Sequence, residues 1–128
     1  MLELSHKKLL AWQKAIQLLP TLYKLCEKFP KEEIYNLSSQ MKRAGLSISN
    51  NLAEGASRKS KVEKNRFFEI ARSSAVEVDN CLCACLVLKY CNEEELMPIN
   101  NMLLEIFKLT TGLIESNKET SNPIATRY

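Results

Sequence analysis

The chain has 128 residues, 45% of them hydrophobic, which is enough for one compact core and too little for two. Three glycines and four prolines exclude a many-stranded sheet, whose turns consume both, and the dominance of Leu, Lys, Glu, Ala and Ile is that of an all-helical protein. A net charge of +3 is too mild to name a partner, the odd set of five cysteines argues against a disulfide framework, and no uncharged run approaches the roughly 20 residues of a membrane span.

Helix one is predicted from about Lys7 to Lys28, with Ser5 or His6 as its cap and Leu9, Trp12, Ile16, Leu19, Tyr23 and Cys26 facing the core at a 3-4 alternation. Pro20 removes one backbone bond and crowds the preceding turn, which predicts a kink or a local break; Phe29-Pro30 ends the helix. Lys31 to Tyr35 then forms a connector, Asn36 caps helix two, and Gly55 stands near its end, where a left-handed terminating residue is easiest to make from glycine.

Helix two carries two stripes. Leu37, Met41, Ala44, Ile48 and Leu52 make an ordinary core face. Beside them Gln40, Arg43, Ser47, Asn51, Glu54 and Arg58 stack along one line at spacings of three and four, and short hydrogen-bonding groups such as Ser and Asn are mediocre helix formers. That line reads as a polar seam in need of partners, within the bundle or between copies of the chain, with Glu77 of the next helix among them.

Ser60-Lys-Val-Glu63 is a capping box that starts helix three at about Lys61, and the helix is predicted to run to Cys91, about 30 residues. Phe67, Ile70, Ala71, Ser74, Val78 and Leu82 face inward in its first half, while Cys81 to Leu88 is apolar all round, as expected of a helix covered by its own bundle and by a neighbouring subunit. Asn92 with Glu93, Glu94 and Glu95 caps helix four, where Pro98 either starts the helix proper or bends it. Ile99, Met102, Leu103, Ile106, Leu109, Leu113 and Ile114 carry that helix to about Asn117, and 118–128 is predicted to be a loose tail on the 1–117 domain. Four helices with short connections pack as an antiparallel, up-down-up-down bundle.

Catalytic chemistry is poorly supplied. The single histidine, His6, stands near a terminus with no positioned partner, and of Cys81, Cys83 and Cys85 only the outer two share a helix face, half a zinc site at best. Glycine-rich phosphate loops and Glu-x-x-His motifs are absent, so neither a metal nor another cofactor is expected. What remains is charge: between Lys42 and Arg72 eight basic residues face three acidic ones, a net +5. Arg58, Lys59, Lys61, Lys64 and Arg66, with Arg72 beyond them, surround one helix start, a pattern that fits either nucleic-acid phosphates or an ordinary solvated loop.

The runs Leu9-Leu-Ala-Trp-Gln-Lys-Ala15, Phe29-Pro-Lys-Glu-Glu33, Gln40-Met-Lys-Arg-Ala44, Ser47-Ile48, Asn51-Leu-Ala-Glu-Gly55 and Arg66-Phe-Phe-Glu-Ile-Ala71, with Ser74 and Glu77, resemble the four-helix-bundle family of large-ribosomal-RNA (23S rRNA) intervening-sequence proteins over nearly the whole chain. Asn36, where that family usually has glycine, and Pro20 depart from the pattern. The resemblance implies a ring, most often of five copies, and a fold similar to the accessory variability protein of diversity-generating retroelements, which associates with a reverse transcriptase and RNA. A non-enzymatic, cytoplasmic, RNA-binding homo-oligomer is therefore the leading expectation, and a scaffold that docks a reverse transcriptase or similar partner the alternative.

Overall fold

The computed structural model describes residues 1–118, which contain four α-helices and no strand. A 3-10 turn, Ser5–Lys8, precedes α1, Leu10–Cys26; a second, Lys31–Glu33, leads into α2, Leu37–Ser57; α3 is Lys61–Val87 and α4 is Glu93–Lys118. Each helix packs on its two neighbours in the cycle α1, α2, α3, α4, so α1 and α3 stand diagonally opposite, as do α2 and α4. Cross-links at corresponding heights fix the antiparallel order. Asn65 at the start of α3 donates to the carbonyl of Ile114 at the end of α4 (3.1 Å), and Lys28 after α1 pairs with Glu95 at the start of α4.

The core face predicted for α2 is the observed one: Leu37, Met41, Ala44, Ile48 and Leu52 are all buried. On α1 Cys26 is buried as predicted, but the other buried residues are Ala11, Ala15, Leu18, Leu22 and Leu25. Trp12, Ile16, Leu19 and Tyr23 form a second apolar stripe at the edge of the bundle, because the small Ala11 and Ala15 let α1 approach its neighbours closely on the other side. On α3, Phe68, Ala75, Cys81 and Cys85 join the predicted Ala71, Ser74, Val78 and Leu82, whereas Phe67 and Ile70 stay outside the core. Cys83, Val87 and Leu88 are exposed, so the all-round apolar half of α3 is covered on one side only.

Several local expectations change. Neither proline breaks its helix: α1 runs through Pro20 and α4 through Pro98. The first begins at Leu10 without a side-chain cap, since Ser5 sits in the preceding turn, where its hydroxyl donates to the Ala56 carbonyl at 3.4 Å. Gly55 is helical and buried rather than a left-handed terminator; a Cβ there would meet Phe68 of α3 at 2.6 Å, so close approach of two helices is what requires glycine. Asn36 occupies the cap position, yet its side chain donates to Glu33 (3.0 Å) instead of the helix.

Ser60 accepts from the Glu63 amide at 3.1 Å, as predicted. The third helix ends four residues early, in a Schellman motif: Tyr90 N–H bonds to Cys85 C=O (2.9 Å) and Lys89 N–H to Leu86 C=O (3.1 Å), with Lys89 left-handed at φ 61°. Asn92 and Glu95 form a reciprocal capping box, 2.8 and 3.2 Å. Lys118, assigned to the tail by the sequence pattern, closes α4; the remainder of that tail lies outside the described residues.

Candidate nucleic-acid interface

One end of the bundle gathers the start of α1, the end of α2, the start of α3 and the end of α4. The predicted cations Arg58, Lys59, Lys61, Lys64 and Arg66 lie there, on the α2–α3 connection and the first turns of α3, but they do not act alike. Arg58 pairs with Glu54 (3.2 Å) and lies 4.8 Å from the Phe67 ring centroid. Lys64 is half-buried, and its ammonium donates to the Ala56 carbonyl (3.0 Å) at the negative end of α2. Arg72 is farther along α3, where it donates to Thr111 (3.3 Å) and approaches the Phe107 ring. These three guanidinium and ammonium groups bind helices to one another. Lys59, Lys61 and Arg66 are exposed and carry no ion pair among the described residues, so they are the cations available to a ligand.

The fold adds two cations that the sequence pattern did not reveal. The Ser5–Lys8 turn packs on the end of α2, which carries exposed Lys8 and half-buried Lys7 to the same end as Lys59 and Lys61. They stand some fifty residues away in sequence; only the antiparallel pairing of α1 with α2 could have announced them.

The polar seam is partly internal. Ser47 and the buried Ser74 share a 2.8 Å hydrogen bond between α2 and α3, and the Asn51 amide donates to the Ser47 carbonyl (2.9 Å) and hydroxyl (3.0 Å). Arg43 donates to Ser39 of its own helix. Gln40, Arg43, Glu54 and Glu77 are exposed in the single chain, so the expectation of a seam closed within one bundle holds only for its centre. Ser47 and Ser74 also floor an open groove of about 770 Å³, lined further by Arg66, Glu69, Ser73 and Glu77.

Four of the five thiols are held in the protonated form. Burial pushes Cys85 up to about 12 and raises Cys26, Cys81 and Cys91 as well, which disfavours the thiolate needed for attack or metal ligation. Among the described residues no group of His, Cys, Asp or Glu is arranged to hold a metal ion, and no helix is long and apolar enough to cross a membrane.

Residues 7–112, a span that takes in α1, α2, α3 and most of α4, match the model of the 23S rRNA-intervening sequence protein family. The chain belongs to that family. Among solved structures, a protein of unknown function from the S23 ribosomal protein family of Bacteroides thetaiotaomicron superposes with a TM-score of 0.75 at 24% identity, covering 82% of this chain and 98% of that one. Comparison with curated proteins yields no match. Within the 23S rRNA-intervening sequence fold, the free cations thus lie around the start of the third helix, Lys59 on the connection before it and Lys61 and Arg66 on its first two turns.

Proposed function

We propose that this member of the 23S rRNA-intervening sequence family is a non-enzymatic, oligomeric module that binds structured RNA through phosphate contacts at the basic end of the bundle. The observation that carries the reading is the division of labour among the cations: Lys59, Lys61 and Arg66 are exposed and unpaired beside the first turn of α3, while Arg58, Lys64 and Arg72 hold the surrounding helices in place. The family's name supports RNA as the partner. Phosphate contacts carry little sequence information, so binding is expected to follow RNA shape and charge. Copies of the chain assemble in this reading, and the exposed seam residues Gln40 and Glu77 find their partners in a neighbouring copy.

The test is fluorescence anisotropy with a labelled RNA hairpin across a salt series. Three phosphate contacts per chain predict a slope of log affinity against log salt of about −2 to −3. The triple variant Lys59→Glu, Lys61→Glu, Arg66→Glu is expected to lose at least about 100-fold in affinity at low salt with the fold intact. Affinity that is flat with salt, or unmoved by the triple variant, would end the proposal. A protein partner such as a reverse transcriptase is the second reading, favoured by Val62, which stands 83% exposed among the cations; a partner retained after nuclease treatment supports it.

A further inference from the structure

The basic end of the bundle carries more than charge. Leu4 and Leu10 stand 51% and 49% exposed beside Lys7 and Lys8, and flat side chains lie among the cations. Phosphates gain nothing from such groups. Base faces do, because a base is a flat π-surface that stacks on rings and on guanidinium planes.

The first flat group is Arg58. Its guanidinium lies over the Phe67 ring, 4.8 Å from the centroid, and Nη2 donates to Glu54 at 3.2 Å, so two partners hold it in place at once. Glu54 also offsets its charge, which makes it a poor site for a phosphate. What this exposed residue still offers a ligand is the planar face opposite Phe67. The second flat group is the half-buried His6 ring, which meets Trp12 at 4.9 Å between centroids and 71° between planes. It belongs to a turn fixed on both sides: the Gln13 amide donates to the Lys7 carbonyl (2.8 Å) and the Ser5 hydroxyl to the Ala56 carbonyl (3.4 Å). That same Ala56 oxygen accepts from the Lys64 ammonium (3.0 Å), so one carbonyl ties the His6 turn to the start of α3, with Arg58 just beyond it in the chain.

We infer that the RNA bound at this end, on the function proposed above, is recognised through unpaired bases: one stacks on the Arg58 guanidinium and another on the His6 ring, while Lys59, Lys61 and Arg66 hold the adjoining phosphates. An A-form duplex keeps its base faces inside its own stack and presents edges, sugars and phosphates, so Leu4, Leu10 and both flat groups go unused on it. Charge alone acts in the opposite direction, because a duplex has the higher charge density. Preference for an unpaired strand is therefore a signature of stacking. Both platforms are fixed before the ligand arrives, which spares the ordering cost of binding. The ligand class is thus an RNA loop, bulge or single-stranded end.

The test compares two labelled RNAs with the same number of phosphates, a stem with a long unpaired loop and a continuous duplex, by fluorescence anisotropy at one salt concentration. Wild type is expected to bind the looped RNA about 10-fold more tightly. Arg58→Lys keeps the charge and loses the plane, and His6→Ala loses the ring; each is expected to weaken the looped RNA about 5- to 10-fold and to leave duplex affinity and helix content by circular dichroism unchanged. His6→Phe, which restores a ring, is expected to bind both RNAs like the wild type. Equal wild-type affinity for the two RNAs, or Arg58→Lys and His6→Ala variants whose effect does not distinguish them, overturns the stacking; phosphate binding still stands if affinity falls with salt and in the triple variant of Lys59, Lys61 and Arg66. Failure of the wild type to bind either RNA overturns both.

Discussion

Gly55 and Gly112 are both helical glycines, and their surroundings predict opposite responses to the same substitution. A Cβ at Gly55 would lie 2.6 and 2.8 Å from ring carbons of Phe68 and 3.1 Å from the backbone oxygen of Lys64, whereas one at Gly112 meets nothing within 4 Å. Alanine gains about 1 kcal/mol of helix propensity at either site, and overpacking costs about 1–3 kcal/mol at the first. Thermal or urea denaturation should therefore find Gly55→Ala destabilised and Gly112→Ala stabilised by about 0.5–1 kcal/mol. Equal shifts of one sign would contradict the close α2–α3 packing. Sequence spacing alone placed Gly55 at a helix end for a conformational reason; the real reason, a ring from another helix, is a tertiary fact.

At the scale of elements, the start of α4 carries the pH dependence. The Glu95 carboxyl is held below the usual carboxylate range by its hydrogen bond from the Lys28 ammonium, and then by the Asn92 amide. A folded-state pKa below the unfolded one stabilises the fold above the unfolded value, and that contribution is lost as pH falls through the folded value. Wild type and Glu95→Gln should thus differ in urea midpoint at pH 7 and converge as pH drops below about 4. A gap that persists at pH 2.5 would show that the interaction is not ionic. The capping box that makes this start was legible in Asn92 and the acids after it; the tie to Lys28 was not, because it joins the end of α1 to a helix more than sixty residues on. The same limit shows in the stripes. Periodicity finds apolar lines on α1, but choosing between Ala11-Ala15-Leu18-Leu22 and Trp12-Ile16-Leu19-Tyr23 depends on how close the neighbouring helices come.

For the whole molecule, the cations of the basic end fall into two groups that mutagenesis should separate. Lys64→Ala removes the donor to the Ala56 carbonyl and is expected to cost about 1 kcal/mol of stability. Lys59→Ala and Lys61→Ala should stay within about 0.5 kcal/mol, since both are exposed and unpaired. Stability changes of equal size in all three would erase the distinction on which the proposed interface depends. The amino-acid order by itself determined the helical class, the number of helices, the core face of α2 and the Ser60 and Asn92 caps, since each of these follows from local periodicity and local hydrogen bonding, and its motif runs carried the family. Tertiary structure alone decided which of two apolar stripes on α1 is core, why Gly55 is glycine, that Lys7 and Lys8 join the basic end, and which cations are already spent on neighbouring helices. Those outcomes depend on distances between segments far apart in the chain, and no pattern within a single helix encodes them.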